Sequence, residues 1–283
     1  MRLVHLTDPH LTTPPPWRSL IGRSHYGKRY LGYLSWARKR SRRLRPEWLA
    51  EVRAEAAARK PDHWLLSGDL AQIGTEEEIR AAGVWLRELA QPEAATFVPG
   101  NHDVYAADSW SCIEREWRAY LPQDEYPLLR RVSDVAVFGL CTALPTGPLS
   151  AAGGVGAAQL ARLEAQLAEH RDAFRVVLLH HPPLPGMIAY RKRLKDAAAL
   201  EALLEREGVQ LLLHGHRHQN QRSERLGARI FCTAPASAED ACFRSFDIDR
   251  DGSGWTVQAS LVQRHGGRFE DLETECWRVS APG

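Results

Sequence analysis

The sequence predicts an α/β fold, with mainly parallel strands in its first part and a more antiparallel, β-rich part from about residue 229 to residue 283. Three observations predict it. Short apolar runs alternate with helix-like segments along most of the chain, as in proteins built on a parallel sheet. Short strand-like runs then follow one another after residue 228, with a turn signal at Asp251-Gly252. No internal repeat or low-complexity linker divides the 283 residues, so we expect a single domain.

Six apolar runs in the first part are predicted as strands. They are residues 3–6, 63–66, 96–98, 135–140, 175–179 and 209–213. Pro46 begins a predicted helix over residues 47–60, and Thr75 with Glu78 forms a capping box for a second helix that runs to residue 90. Residues 157–169 form a third helix, and Asp196 caps a fourth that runs to residue 207. The β-rich part is predicted to contain strands at 229–233, 243–248 and 255–263.

Positive charge is concentrated in one segment. The net charge is only +2, but residues 18–45 contain ten Lys and Arg residues and no Asp or Glu. Trp17, Tyr26, Tyr30, Tyr33 and Trp36 lie among these cations. We call residues 17–45 the basic insert. It fits an amphipathic helix on an anionic membrane, a cap over a nucleotide or a nucleic acid, or a solvated helical face.

The remaining composition is that of a globular protein, with 44% hydrophobic and 25% charged residues. The five cysteines are odd in number and contain no Cys-x-x-Cys, which favours reduced thiols over a disulfide framework or a zinc knuckle. The N-terminal residues do not resemble a signal peptide, and no stretch approaches the length of a membrane span. We therefore expect a cytoplasmic protein, with peripheral contact to the inner membrane face left open by the basic insert.

Metal-capable side chains follow five of the predicted strands, always at the carboxyl end. Functional groups of α/β proteins lie just past these strand ends. A single Asp or His in such a loop is more often a turn residue. Five strands that all end in such residues are not expected from solvent-exposed polar loops alone. They are Asp8 and His10, Asp69, Asn101 and His102, His180, and His216 with His218.

The residue types indicate a particular chemistry. Oxygen and imidazole ligands without a thiolate suit Mn²⁺, Fe, Zn²⁺ or Co²⁺ better than a structural zinc site. One carboxylate that bridges two cations lets them lie ~3.5–4 Å apart, the spacing used for in-line displacement at phosphorus. Two such ions polarise phosphoryl oxygens and turn a bound water into hydroxide near neutral pH. A nearby histidine that is not a ligand can stabilise the transition state or protonate the leaving oxygen.

Together these residues resemble the motif set of the calcineurin-like metallophosphoesterases. The motifs occur in the order of that family: Asp8-x-His10, Gly68-Asp69, Gly100-Asn101-His102-Asp103, His180-x-Pro182 and Gly215-His216-x-His218. The bacterial class III cyclic-nucleotide phosphodiesterases are the most similar branch, because the His-His-Pro-Pro run and the compact size recur there. The resemblance implies a four-layer α/β/β/α sandwich with two mixed sheets.

The resemblance also implies a role for each residue. Asp8, His10 and His218 would hold the first metal, and Asp69 would bridge. Asn101, His180 and His216 would hold the second metal. His102 would be the catalytic histidine that faces the leaving group. The implied cofactors are two divalent or trivalent metal ions, Mn²⁺, Fe²⁺/Fe³⁺ or Zn²⁺.

Several neighbouring residues have a structural interpretation as well as a functional one. His181 is expected to be a wall of the site, and His5 and His214 are expected to be structural. Asp103 is expected either to orient His102 or to cap the next helix. The basic run 191–193 is expected to be a solvated surface, with contact to phosphate as the alternative.

Four functions compete. The first is a phosphodiesterase that acts on a nucleotide or another small phosphodiester. The second is a pyrophosphatase or phosphodiesterase of a lipid-linked substrate such as a UDP-diacylglucosamine-type precursor, since the resembled family contains such an enzyme with a helical cap. A nuclease is the third, although the acidic balance outside the basic insert argues against broad nucleic-acid binding. A scaffold without catalysis is the fourth, and the complete ligand set argues against it.

Overall fold

The computed structural model of the chain describes residues 1–252 and 254–280. Within these residues the strands are β1 (Arg2–Leu6), β2 (His63–Leu66), β3 (Ala95–Phe97), β4 (Leu128–Val132), β5 (Val135–Leu140), β6 (Phe174–Leu179), β7 (Leu211–His214), β8 (Gln221–Arg225), β9 (Ala228–Cys232), β10 (Cys242–Asp251), β11 (Gly254–His265) and β12 (Arg268–Ser280). The α-helices are α1 (Tyr26–Ser35), α2 (Ser41–Arg43), α3 (Pro46–Ala58), α4 (Glu76–Leu89), α5 (Ser109–Glu116), α6 (Ala157–Glu169) and α7 (Ala197–Glu207).

The strands form two six-stranded sheets. The first has the order β12-β11-β10-β1-β2-β3, and the second has the order β4-β5-β6-β7-β9-β8. In the first sheet β1, β2 and β3 are parallel, whereas β10, β11 and β12 add to β1 in antiparallel fashion. In the second sheet β5, β6, β7 and β9 are parallel, with β4 and β8 as antiparallel edges. Both sheets are therefore mixed, as predicted.

Strict alternation of side chains places the second sheet between the first sheet and two helices. Successive residues of a strand point to opposite faces. One set of buried side chains packs in a cluster with those of the first sheet: Val135, Val137, Val176, Leu178, Leu211 and Leu213. The alternate set packs against Leu163 and Leu167 of α6 and Leu200 and Leu204 of α7: Ala136, Phe138, Leu140, Val177, Leu179 and Leu212. Apolar stripes of α3 and α4 join the first cluster, which gives the predicted four layers.

Local sequence signals explain where the helices begin. Pro46 is the first residue of α3, where its missing N–H costs nothing. The Thr75 hydroxyl accepts from the Glu78 amide in the predicted capping box of α4. Asp196 precedes α7 as predicted, but its side chain does not cap that helix. Its carboxylate instead accepts from the amides of Val155 and Gly156, which fixes the entry to α6.

Three strands lie outside the predicted set: β4, β8 and β12. Each pairs with one neighbour at a sheet edge. β8 and β12 are largely exposed, so their sequences lack a continuous apolar face. All the predicted strands are present, with boundaries that differ from the prediction by at most three residues.

The basic insert folds as short helices packed onto the loops that follow β2 and β3. It contains 3₁₀ turns at Trp17–Leu20, then α1, a π-helix at Trp36–Arg40 and α2. Arg29 is buried and donates to both carboxylate oxygens of Asp108, at 2.8 and 2.9 Å, and to the Gly74 carbonyl. The insert is therefore tied to the body by at least one buried cation. Among the described residues, no helix has both the length and the apolarity to cross a membrane.

Candidate metal centre

All seven predicted metal ligands and His102 converge at the carboxyl ends of five strands. Three strands of the first sheet and two of the second contribute, so the site lies across the ends of both sheets. Two groups of candidate ligand atoms form there, each within 4.8 Å. One group is Asp8, His10, Asp69 and His218, and the other is Asp69, His180 and His216. Asp69 belongs to both groups.

The ligand loops carry unusual backbone conformations. Five of the candidate ligands have positive φ angles: Asp8 (48°), His10 (40°), Asp69 (58°), His216 (66°) and His218 (55°). This region is uncommon for residues other than glycine and costs on the order of 1–3 kcal/mol at each position. Such a concentration of strain is typical of a functional site that the surrounding fold over-determines.

Two glycines allow the loops to approach one another. A Cβ on Gly100 would overlap the carboxylate and the backbone nitrogen of Asp69. A Cβ on Gly215 would overlap Thr7 and the carboxylate of Asp8. At these two positions a glycine is thus required by close contact with a carboxylate from another loop.

Imidazole nitrogens and carboxylate oxygens of the first group face one another. His218 Nε2 lies 3.2 Å from Asp8 Oδ1 and 3.4 Å from His10 Nε2. His10 Nδ1 donates to the Ala71 carbonyl at 3.0 Å. A carbonyl can only accept, so Nδ1 carries the proton and Nε2 presents a lone pair to the group.

The second group has the same design. His180 Nδ1 donates to the Ser67 carbonyl at 2.7 Å, so Nε2 is the nitrogen that faces the site. This Nε2 lies 3.1 Å from Asn101 Oδ1, 3.2 Å from His216 Nδ1 and 3.3 Å from Asp69 Oδ2. Ligands ~2.0–2.2 Å from a common ion are ~3–3.5 Å apart. These separations therefore fit atoms that share a cation.

The electrostatics of the cluster also fit bound cations. Asp8 Oδ1 is buried and accepts no hydrogen bond from the described residues. Burial opposes the charged form of Asp8, but the facing His218 outweighs it and lowers the pKa of Asp8 to about 2. Burial likewise opposes charge on His180, but Asp69 raises the pKa of His180 to about 9. The cluster thus strongly attracts positive charge, and its donor set suits two transition-metal ions.

His102 lies beside the cluster without its ring joining either group. Its backbone amide donates to Asp69 Oδ1 at 2.7 Å. Its Nδ1 donates to the Gln72 carbonyl at 2.5 Å, so Nε2 is the atom left to interact with a ligand. Burial lowers the pKa of His102 well below its usual value. The His102 ring stacks on Tyr105 with centroids 5.7 Å apart.

Asp103 plays neither of the two roles expected for it. Its carboxylate accepts from the backbone amides of Asp69, Ala71 and Gly100 at 2.8–2.9 Å. It therefore holds the loop that contains Asp69 against the loop that contains Asn101. Burial, with the nearby charge of Asp69, raises the pKa of Asp103 to about 7. The motif alone gave no signal for this contact, because the partners lie in a different loop.

The other histidines near the site are held by polar side chains or carbonyls. His181 is buried against Thr142 Oγ1 at 2.8 Å, and its ring lies 4.5 Å from that of His216, in keeping with a wall of the site. His5 is buried between Thr233 Oγ1 and Ser67 Oγ, in keeping with a structural role. His214 is fully buried next to the Gly215 carbonyl.

The cavity above the cluster is lined by cations that the motifs did not identify. It has a volume of ≈ 450 Å³, and Asp69, Asn101 and His102 lie at its floor. The basic insert supplies Lys39, Arg40 and Arg43 to its wall, and Lys192 and Arg217 face them from the second half of the chain. A larger cleft of ≈ 660 Å³, near Trp110 and Tyr126, contains none of the candidate ligands.

The chain matches the calcineurin-like phosphoesterase family over residues 1–220. The cAMP/cGMP dual specificity phosphodiesterase of Mycobacterium tuberculosis is 32% identical over 182 residues, which are 60% of this chain and 53% of that protein. The 3′,5′-cyclic adenosine monophosphate phosphodiesterase CpdA of Escherichia coli is 29% identical over 197 residues, which are 67% of this chain and 66% of CpdA. The chain thus spans between half and two thirds of the length of these relatives.

Solved structures share the architecture. Purple acid phosphatase PPD1 from yellow lupin (Lupinus luteus) superposes with a TM-score of 0.60 at 13% identity. The match covers 99% of this chain and 53% of the lupin protein. At this identity the similarity establishes the fold.

Proposed function

The chain belongs to the calcineurin-like phosphoesterase family, and on this premise we propose that it is a phosphodiesterase that hydrolyses cyclic nucleotides with two bound metal ions. The observation that carries the proposal is the position of Asp69. Its carboxylate belongs to both ligand groups, as expected of a residue that bridges two ions. The similarity to two named cyclic-nucleotide phosphodiesterases supports the choice of substrate.

We assign the metal-holding roles to the seven residues predicted from the sequence. Asp8, His10 and His218 would hold one ion, Asn101, His180 and His216 would hold the other, and Asp69 would contribute to both. When bound, the two ions supply Lewis acidity at the phosphoryl oxygens and lower the pKa of a water molecule. Mn²⁺, Fe²⁺/Fe³⁺ and Zn²⁺ all accept this donor set, and we propose manganese or iron as the working metals.

Hydrolysis joins a water oxygen to phosphorus and breaks the bond from phosphorus to the leaving oxygen, and we assign to His102 the transfer to that oxygen of a proton that the water gives up. Its Nδ1 is committed to the Gln72 carbonyl, so proton transfer involves Nε2. The stack on Tyr105 and the backbone bond to Asp69 hold the ring beside the ligand cluster. Because general acid–base catalysis contributes about 10²–10⁴-fold, loss of this imidazole reduces turnover by that factor.

The test is hydrolysis of cyclic AMP, cyclic GMP and bis(p-nitrophenyl) phosphate by purified protein. Protein is stripped with a chelator and refilled with Mn²⁺, Fe²⁺ or Zn²⁺, and its metal content is measured. We expect activity to return with metal and to fall about 10²–10⁴-fold in His102→Ala at equal metal content. His265→Ala, an exposed position in β11, is the matched control. Refilled protein that hydrolyses none of these diesters would refute the proposal.

A lipid-linked diphosphate is a second candidate substrate, favoured by one observation. Leu31 and Leu149 are 49% and 82% exposed, and both line a cavity that also contains His102. Exposed leucines beside the cations of the basic insert suit an acyl chain or a membrane surface. Flotation with anionic vesicles, and hydrolysis that appears only with detergent or lipid, would support this candidate and a peripheral membrane location. Equal hydrolysis of soluble diesters without lipid favours the first proposal.

We also propose that residues 1–283 fold as one domain. Side chains of both sheets pack in a common apolar cluster, which supports this organisation. A single cooperative unfolding transition, seen by both calorimetry and circular dichroism, is the expected result. Two separate transitions would contradict it.

A further inference from the structure

We propose that Arg40 of the basic insert and Lys192 of the loop after β6 bind the non-bridging oxygens of the substrate phosphoryl group from two sides. This inference rests on the proposed function and extends it, because it assigns substrate contact to residues outside the metal-ligand motifs. It also assigns a purpose to the basic insert. The insert brings Lys39, Arg40 and Arg43 to the cavity wall, and Arg40 is the one that we assign to this contact.

Arg40 forms no ion pair within the part of the chain that the structure describes. It is partly buried, yet no Asp or Glu of the described residues lies within ion-pair distance of its guanidinium. Nε donates to Gln72 Oε1 at 2.8 Å and Nη2 lies 3.4 Å from the Gly32 carbonyl, whereas Nη1 makes no hydrogen bond to any described residue. A sequestered guanidinium with unused donors is costly unless an anion satisfies it. A phosphoryl group at the metal cluster would be such an anion.

The backbone around Arg40 is also unusual. Arg40 is the last residue of the π-helix Trp36–Arg40, which follows α1 directly. A π-turn inserts an extra residue into the helical repeat and so redirects the side chains after it, and such turns are frequent at functional sites. Gly32 lets α1 lie against Tyr105 and Ile73, where a Cβ would overlap both side chains. The insert is thereby packed close enough for Arg40 to line the cavity with Asn101 and His102.

Gln72 connects Arg40 to the chemistry of the site. Its side-chain oxygen accepts from Arg40, its side-chain amide donates to the His10 carbonyl at 2.9 Å, and its own carbonyl accepts from His102. One residue therefore sets the positions of the cation, of a candidate metal ligand and of the proton-transfer histidine. Fixed donors of this kind stabilise charge without reorganisation during the reaction.

Lys192 is the member of the basic run 191–193 that lines both cavities, whereas Arg191 lines only the one that contains Leu31 and Leu149. Arg193 instead stacks on Tyr190, with its guanidinium carbon 3.6 Å from the ring centroid. The run is fixed by backbone pairing, in which the Ala151 amide donates to the Arg191 carbonyl and the Gly153 amide to the Arg193 carbonyl. Lys192 lines the same two cavities as Arg40, together with Ala151 and His102. The two cations thus reach the site from separate segments, the basic insert and the loop between β6 and α7.

The experiment compares Arg40→Met, Arg40→Lys and Lys192→Met with Arg38→Met. Arg38 is exposed, lies two positions from Arg40 and lines neither cavity, so its variant makes the same charge change away from the site. Each Mn²⁺-loaded protein is assayed for kcat and KM with bis(p-nitrophenyl) phosphate. Binding of inorganic phosphate is measured separately by calorimetry, and metal content and thermal unfolding are recorded for every variant.

We expect Arg40→Met to lower kcat/KM and to weaken phosphate binding, each by about ten- to a hundred-fold, at unchanged metal content. Lys192→Met should show a loss in the same two readouts, Arg40→Lys a partial recovery, and Arg38→Met no change. Variants at Arg40 and Lys192 that match Arg38→Met in phosphate binding would overturn the inference. If the wild type binds phosphate tightly but hydrolyses no diester, the proposed function fails while the calorimetric comparison still decides the roles of Arg40 and Lys192.

Discussion

The carboxylate of Asp103 accepts a hydrogen bond of 2.8 Å from the backbone amide of Asp69. The same carboxylate oxygen accepts from the Gly100 amide at 2.8 Å, and the other oxygen accepts from Ala71 at 2.9 Å. One buried side chain thus fixes two ligand loops whose residues come from different strands. The position of Asp69, the candidate bridging residue, therefore depends on Asp103, which belongs to neither ligand group.

Asp103→Asn tests this dependence. An amide of the same shape offers one acceptor oxygen, so its NH₂ group faces a backbone N–H and leaves that donor unsatisfied. We expect a loss of about 1–3 kcal/mol in the free energy of unfolding and Mn²⁺ binding weakened by about 10–100-fold. Calorimetric titration with Mn²⁺ and thermal unfolding measure the two effects. Asp240→Asn, an exposed position, is the control, and equal Mn²⁺ affinity in both variants would contradict the expectation.

Gly100→Ala should displace Asp69, the residue that belongs to both ligand groups. The added Cβ would overlap Asp69 Oδ1 and lie 2.5 Å from the Asp69 backbone nitrogen, so the loop that contains Asp69 must shift. We expect the variant to retain less metal than the wild type after refilling and to lose phosphodiesterase activity. Gly147→Ala makes the same chemical change where no atom lies within 4 Å, so it should retain both. Metal analysis of the two purified variants is the measurement.

Arg29→Met should loosen the basic insert. The guanidinium is buried and donates to Asp108 and the Gly74 carbonyl, so its removal leaves those acceptors without their donors. We expect a loss of about 1–3 kcal/mol and faster tryptic cleavage within residues 17–45. Arg23→Met removes an exposed ion pair with Glu77 and should cost less than about 1 kcal/mol. Equal cleavage rates in the two variants would show that Arg29 does not anchor the insert.

Glu78→Gln should destabilise the loop between β2 and α4. The buried carboxylate accepts from the amides of Gln72 and Thr75 and from the Thr12 hydroxyl, at 2.9–3.0 Å. The NH₂ group of a glutamine would face N–H or O–H donors that the carboxylate now accepts from. We expect the free energy of unfolding, measured by chemical denaturation, to fall by about 1–3 kcal/mol. The adjacent Glu77→Gln changes an exposed side chain and is the control. A smaller cost for Glu78→Gln than for Glu77→Gln would be incompatible with this network.

Removal of metal should lower the thermal stability of the wild type. An ion that binds only the folded state stabilises it by about 2.7 kcal/mol at a free concentration one hundred times Kd. We expect the unfolding temperature to rise when Mn²⁺ is added to chelator-treated protein, and the rise to disappear in Asp69→Asn. Mg²⁺ at the same concentration controls for ionic strength. An equal rise in Asp69→Asn would place the binding elsewhere.

The strands that carry the site could be predicted because each is an apolar run that ends in a polar loop. The family and the two mixed sheets are confirmed. β4, β8 and β12 escaped prediction for a physical reason: an edge strand needs apolar side chains on at most one face. The sequence of β12 in particular has too few apolar residues at alternate positions to be distinguished from a loop.

The candidate site was predictable in its residue types and not in its supporting contacts. The seven candidate ligands follow strand ends. The structure brings six of them into two groups, and the Asn101 side chain lies 3.1 Å from His180 of the second group. Asp103 and Gln72 act through backbone groups of distant loops, which leaves no pattern in the sequence. Arg29, Arg38 and Arg40 belong to the same cation-rich segment, and the sequence does not distinguish them. Packing makes Arg29 a buried anchor, places Arg40 in the cavity wall and leaves Arg38 exposed.

The position of β1 has a consequence for the newborn chain. β1 lies between β2 and β10, and β10 is the segment Cys242–Asp251. The N-terminal residues leave the ribosome first. One edge of β1 therefore has no strand to pair with until β10, which ends at residue 251, has been synthesised. An open edge on an apolar strand invites pairing with the wrong segment or with another chain. A nascent chain that stops at residue 241 therefore contains every candidate metal ligand but lacks β10. Without β10, one edge of β1, the strand that precedes Asp8 and His10, stays unpaired.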